Sequence, residues 1–170
     1  MLKNLLILTT AFFVSTGLAE KKKDTKEKAA TTDTLTVDTA TSTVQWIGSK
    51  KMGDKHTGHI KVKEGKVEMK SGKLVGGTFT IDMTTLTNDD LKEKAEYQAK
   101  LVTHLKSDDF FKVDKNPTSE FKITSVTEKD GKTMVKGTLT MIGKTEPLEF
   151  PATIQTKDGV VTGTAKIEVD

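Results

Sequence analysis

The 170-residue chain contains no cysteine, so neither a disulfide nor a reactive thiol enters its chemistry. It also contains no arginine: all 27 basic residues are lysine. Arginine supplies the planar fork that grips phosphates and base edges in bidentate fashion. Its absence counts against specific nucleic-acid or nucleotide recognition. Prolines number three and aromatic side chains are few, with one Trp, one Tyr and seven Phe. The longest apolar run, Leu5 to Val14, is interrupted by Thr9 and Thr10 and falls short of the roughly 20 residues a membrane-spanning helix needs. No stable membrane insertion is expected. Nucleophile elbows of the Gly-x-Ser-x-Gly kind, phosphate-binding loops and dinucleotide fingerprints are missing too, which leaves little for enzymology.

What is present begins with a leader. Lys3 provides a positive start, the apolar run follows, and Gly17 and Ala19 form a small-residue cleavage pattern ahead of Glu20. Residues 1–19 therefore read as a signal peptide cleaved after Ala19, and the product as periplasmic or secreted. No cysteine follows the site to carry a lipid anchor. Residues 20–34 are rich in lysine and poor in large apolar side chains, so they read as a charged flexible linker. Residues 35–170 remain as one domain with enough chain for a real core. The formal charge of +3 is small, and lysines alternate with acids as on a solvated surface.

Within that domain the dominant period is two. Val44 and Trp46 alternate with polar neighbours, as do Val75, Phe79, Ile81 and Met83. So do Phe121 with Ile123, Val135 with Leu139 and Met141, and Leu148 with Phe150 and Ile154. A last run carries Val161, Ala165, Ile167 and Val169. Ser71-Gly72, Asp130-Gly131, Gly143-Lys144 and Asp158-Gly159 supply turn residues between the runs, and Glu64-Gly65 reads as either a turn or a bulge. The pattern predicts an all-β fold of eight or nine antiparallel strands in a barrel or sandwich. Val75-Gly76-Gly77-Thr78 lies inside a strand pattern and predicts a bulge or bend. Pro147 and Pro151 cannot donate to a ladder, and so predict an edge, a bulge or a strand end there.

One segment breaks the alternation. Thr87-Asn88-Asp89-Asp90 offers N-capping side chains, and residues 91–105 follow a helical period through Leu91, Ala95, Leu101 and Leu105. Ser107-Asp108-Asp109 then begins a short turn carrying Phe110 and Phe111. Such an insertion commonly covers an open end or edge of a barrel. His56 and His59 lie three apart, which on a strand puts them on opposite faces, and no carboxylate partner is evident, so no metal site is expected. His104, near the helix end, reads as a capping or packed histidine. Asp82, Asp89 and Asp90 read as turn and cap residues rather than an acid–base pair.

The order of motifs carries a family resemblance. Ser42-x-Val44-x-Trp46, His56-x-Gly58 and Gly76-Gly77-x-Phe79-x-Ile81-Asp82-Met83 resemble the YceI-like family of polyisoprenoid-binding periplasmic proteins. His104-Leu105-Lys106-Ser107-Asp108-Asp109-Phe110-Phe111, Pro117-x-Ser119-x-Phe121 and the run from Val135 to Gly143 extend the resemblance over nearly all of residues 33–170. It implies a lipocalin-like antiparallel barrel of about eight strands, with an amphipathic helix packed against it. It also implies a long-chain isoprenoid, such as a quinone or polyprenyl lipid, threaded through the interior. No catalytic residue and no obligatory cofactor is implied, and the protein is read as a monomeric or dimeric binding protein rather than an enzyme. The ligand candidates are Val44, Trp46, Val75, Phe79, Ile81, Met83, Leu101, Phe110, Phe121, Ile123, Val135, Leu139, Met141, Leu148, Phe150 and Ile167. Family members resemble this chain up to Ala165-Lys166-Ile167-Glu168-Val169-Asp170 and continue with a further strand. A missing C-terminal closing strand, and a barrel open along one side, is therefore expected. The alternative reading is a ligand-free structural or interaction module of the envelope, its barrel packed solid.

Overall fold

The computed structural model describes residues 31–49 and 55–169, together with the backbone of residues 5–14. Its strands are β1 (Leu5–Val14), β2 (Thr32–Thr36), β3 (Thr43–Ser49), β4 (Lys55–Lys70), β5 (Lys73–Asp82), β6 (Thr118–Lys129), β7 (Lys132–Met141), β8 (Lys144–Lys157) and β9 (Val160–Val169). A 3-10 turn at Met83–Thr85 and the helix α1 (Ala95–Lys106) lie between β5 and β6. The strands run in the spatial order β2-β4-β3-β1-β9-β8-β7-β6-β5, and β5 pairs back onto β4. Eight antiparallel strands thus make a ring, with β2 laid along the second half of β4. This is the all-β, lipocalin-like architecture with one helix that the alternation and the resemblance led us to expect.

The open side expected from the C-terminus is occupied in the structure. β1 lies between β3 and β9, with Leu8 opposite Trp46 on one side and Ile167 on the other. Two strand edges without another neighbour offer unpaired backbone groups, and an apolar run of strand length satisfies both. The expected cleavage site and residues 20–30 of the expected linker lie outside the described residues. At the linker's end, Thr32, Asp33 and Thr34 pair with β4 instead of hanging free.

Four hairpins turn on the same geometry. Ser71-Gly72, Asp130-Gly131, Ile142-Gly143 and Asp158-Gly159 all have positive φ at both positions, from 50° to 78°. That is the mirror-image turn whose twist matches antiparallel strands. The third turn begins one residue earlier than the sequence suggested, at Ile142. Glu64-Gly65 is a bulge: the β4–β5 register slips between Val62 and Glu64, and the buried parity of β4 changes from 58, 60, 62 to 65, 67, 69.

The helix starts at Ala95, four residues later than the capping pattern predicted. The predicted caps are used elsewhere: Asn88 and Asp90 bind β4 rather than helix N–H groups. Lys94 at the N-cap makes no side-chain cap bond. None of the helix residues is buried, and only Val102 and Leu105 pack against the barrel core. With Gln98 they stand at i, i+4 and i+7, one face of a helix. Leu101 is off that face by one position.

Candidate functional site

The inward faces of β3 to β9 converge on one cavity. Val44 and Trp46 come from β3, Ile60 and Val67 from β4, and Leu74, Phe79 and Ile81 from β5. Across from them stand Phe121 and Ile123 of β6, Val135, Leu139 and Met141 of β7, and Leu148, Phe150, Ala152 and Ile154 of β8. Val161, Ala165, Ile167 and Val169 of β9 complete the wall, and Met83 and Phe111 reach in from the connection that carries α1. Ser119 is the buried polar side chain of this wall, 5% exposed, and its hydroxyl donates to the Met83 sulfur at 3.5 Å. An interior so poor in polar groups stays dry and favours an apolar occupant.

The space in it that a water-sized sphere can occupy is about 90 Å³; all space between the lining atoms, the part open to solvent included, is about 1170 Å³. The smaller volume is the one to set against a ligand. It exceeds the roughly 15 Å³ that one water requires, yet is well under the roughly 300 Å³ of a drug-sized pocket. Much of the interior is therefore filled by side chains. Phe121 and Phe150, with ring centroids 5.4 Å apart, are among those that fill it.

Thirteen of the sixteen candidate residues read from the sequence surround this cavity; Val75, Leu101 and Phe110 do not. Val75 is 39% exposed, because the β4–β5 register slips between Glu68 and Met69. That bulge shifts the parity of β5, so Leu74 points inward in place of Val75. Leu101 sits off the packed helix face. Phe110 stacks edge-on against His104, with centroids 5.0 Å apart, and its neighbour Phe111 takes the place in the wall. Two groups stand out among the residues missed. Ile154, Val161, Ala165 and Val169 share the apolar parity already visible in the sequence, which would have found them. Val67 and Leu74 follow bulges, where a fixed period of two fails.

One end of the barrel is fastened by residues 85–90, which run along β4 where β5 has not yet begun to pair. Thr85 Oγ1 accepts from Lys61 N–H at 2.9 Å, Thr87 N–H donates to His59 O at 2.9 Å, and Asp89 N–H donates to Thr57 O at 2.8 Å. Asp90 Oδ1 accepts from Thr57 N–H at 2.7 Å. Every second residue of the β4 edge is thus capped by this strap. Trp46 Nε1–H donates to Thr87 O at 2.9 Å from inside the barrel. Gly58, opposite Trp46, is required by that contact: a Cβ there would stand 1.9 Å from Thr87 O and 2.6 Å from Trp46 Nε1.

The two histidines find carboxylates that the sequence did not reveal, because they come from about 30 residues away. His56 Nδ1 pairs with Asp90 Oδ2 at 2.8 Å, and His59 pairs with Asp89. Histidines on opposite faces of β4 are met by adjacent aspartates that straddle the strand. Burial acts to raise the Asp90 pKa. Hydrogen bonds from Thr57 N–H, His56 and Asn88 outweigh it, and with the His56 charge they hold the carboxyl below its ordinary value. Asp82 is a cap, as expected, accepting from Thr84 N–H at 3.0 Å. Among the described residues no three metal-ligating side chains gather.

Comparison with known proteins agrees with the architecture. No curated protein gives a significant match. Among solved structures, BcnA of Burkholderia cenocepacia is similar with a TM-score of 0.59 and 19% identity, over 78% of this chain and 99% of BcnA. That likeness concerns the fold. The profile of the YceI-like domain matches residues 35–170. With most of its length matched and the barrel in place, the chain belongs to the YceI-like family.

Proposed function

We propose that this protein binds a long-chain isoprenoid, a quinone or polyprenyl lipid, inside its barrel, as a carrier or buffer in the cell envelope. The observation that carries this reading is the cavity wall, drawn from seven strands and apolar except for Ser119 and Thr164. Burying on the order of 500 Å² of a prenyl chain would gain roughly 12 kcal/mol at about 25 cal/mol per Å². Association and ordering costs remove much of that, leaving reversible binding with loose selectivity among tails. The leader read in residues 1–19 supports export to the periplasm, and its removal would take β1 out of the wall and leave β3 and β9 as edges. No helix among the described residues is long and apolar enough to cross a membrane. The reading is of a binding protein, not an enzyme.

The void of about 90 Å³ favours a second reading, a barrel packed solid with no ligand. Native mass spectrometry of gently purified protein separates the two. Isoprenoid binding predicts an extractable lipid adduct, and quenching of the single tryptophan, Trp46, on adding a prenylated quinone. A clean protein mass with Trp46 emission indifferent to quinone would leave the packed barrel standing.

A further inference from the structure

Resting on that reading, we infer where the lipid keeps its head group and what kind of head it is. A quinone ring, uncharged and rich in acceptor oxygens, sits in a cleft between residues 72–75 and 126–128. The turns Ser71-Gly72 and Asp130-Gly131 stand beside this cleft, at the ends of β5 and β6 away from the connection that carries α1.

The cleft has a cause in the strands. The β5–β6 ladder runs from Asp82 opposite Thr118 to Gly77 opposite Ile123 and stops there. Beyond that point β5 stays with β4, and β6 stays with β7. Each arm carries its own bulge: Val75 is left over against β4, and Thr124 against β7. A bulge bends its strand and sharpens its twist, so two facing bulges splay the hairpins apart. Gly76 and Gly77 mark the branch point. A Cβ on Gly76 would stand 2.5 Å from Glu68 Oε2, and one on Gly77 2.7 Å from Lys66 O. β8 and β9 also part, past Ala152 and Ala165, but with no register slip in the β7–β8 or β8–β9 ladder. The β5–β6 seam lies across the ring from β1, so it stands with or without the leader.

Leu74 and Ile154 line both the cleft and the apolar cavity, so one space leads into the other. A water-sized sphere can occupy about 350 Å³ of the cleft, against about 90 Å³ inside the barrel. Small-molecule sites begin near roughly 300 Å³. The cleft therefore accepts a ring-sized head as it stands, while the tail requires the packed interior to yield. Leu74, Val75, Val126 and Ile154 give it apolar surface, and Lys73 with the hydroxyls of Thr127 and Thr156 can donate to carbonyl oxygens. Glu128 accepts from Thr133 Oγ1 at 3.0 Å, which fixes a carboxylate in the same cleft. Lys73 and Glu128 balance, and the chain has no arginine to grip a phosphate. A phosphate beside Glu128 would meet like charge, whereas a quinone meets none.

A quinone ring quenches tryptophan at short range, so two indoles read the position of the head. Trp46 lies against the strap, at the α1 end. Val75→Trp places a second indole at the cleft, and Thr127→Trp, on the other arm, covers the case in which the first blocks it. The full chain is titrated with a long-tailed prenylated benzoquinone in detergent micelles. The added indole should be quenched several-fold more than Trp46. Equal quenching, or stronger quenching of Trp46, would put the head at the α1 end and overturn the cleft. Native mass spectrometry with a polyprenyl phosphate of equal tail length tests the charge of the head. The quinone should bind about tenfold tighter, and Glu128→Gln should narrow that ratio about threefold by strengthening the phosphate. A phosphate that binds the unaltered chain as tightly as the quinone, or a ratio unmoved by Glu128→Gln, would overturn the neutral head. No adduct and no quenching with either lipid, or with a headless prenyl hydrocarbon, would instead remove the binding reading on which the site rests.

Discussion

Several stretches of strand in this barrel lack the neighbour that would continue their ladder, residues 73–76 of β5 and 124–129 of β6 among them, and two others are treated in opposite ways. Along β4, residues 57–61 are covered by the strap 85–90, which satisfies alternate backbone groups and is pinned by Trp46 and two His–Asp pairs. Along β8, residues 144–151 diverge from β9 with two prolines and no strap. Buried side chains lie behind the first, and behind the second the half-buried Leu148 stands beside buried Phe150. An uncovered edge invites pairing with other chains, and proline is one of the devices that blunts it without closing it. The difference separates an edge fastened by tertiary contacts from one left without them.

The sharpest way to break that contrast is to truncate one anchor on each side. Trp46→Ala, at a site 3% exposed, should cost about 4 kcal/mol in urea unfolding, whereas Leu148→Ala, half-buried where β8 leaves β9, should cost about 1 kcal/mol. Similar losses at both sites would erase the distinction. Next in size, Gly58→Ala should cost about 3 kcal/mol, since the new methyl meets Thr87 O and the indole and the strap must lift to make room. Its near-ultraviolet circular dichroism should lose the Trp46 signal even where the fold survives.

The smallest effect concerns the latch itself. The folded pKa of Asp90 is lowered, so its stabilising contribution is complete above the ordinary carboxylate range. That contribution fades as pH falls through the ordinary value toward the depressed one. Asp90→Asn should cost about 0.5–1 kcal/mol near neutral pH, a modest figure because the group is exposed and screened. The gap between variant and parent should shrink in acid. A difference that stays constant with pH would mean that the Asp90 charge does not hold the strap.

Alternation made most of the fold legible. Period two identified the inward residues wherever a strand ran without interruption, which is why Phe121, Ile123, Val135, Leu139 and Phe150 were found. Parity was lost at bulges: the slip between Glu68 and Met69 exchanged Val75 for Leu74. The helix face was misread by one position, Leu101 for Val102, because α1 packs so lightly that its own pattern is weak. Asn88, Asp89 and Asp90 resembled helix caps, and only their contact with β4 gave them another use. Local preference for a cap is worth about 1 kcal/mol, and several tertiary hydrogen bonds outweigh it.

By itself the sequence determined most of the strands beyond residue 42, their turns and the apolar face, since each depends on residues adjacent in the chain and on the two-residue repeat of the pleat. It also carried the two prolines and the absence of cysteine and arginine, and so excluded disulfides and forked phosphate recognition. Tertiary structure alone decided where strand edges meet. It brought Asp89 and Asp90 to the histidines, set β1 between β3 and β9, and left β8 and β9 parted past Ala152. Those outcomes depend on which distant segments come to satisfy the same backbone groups, and no local pattern records that choice.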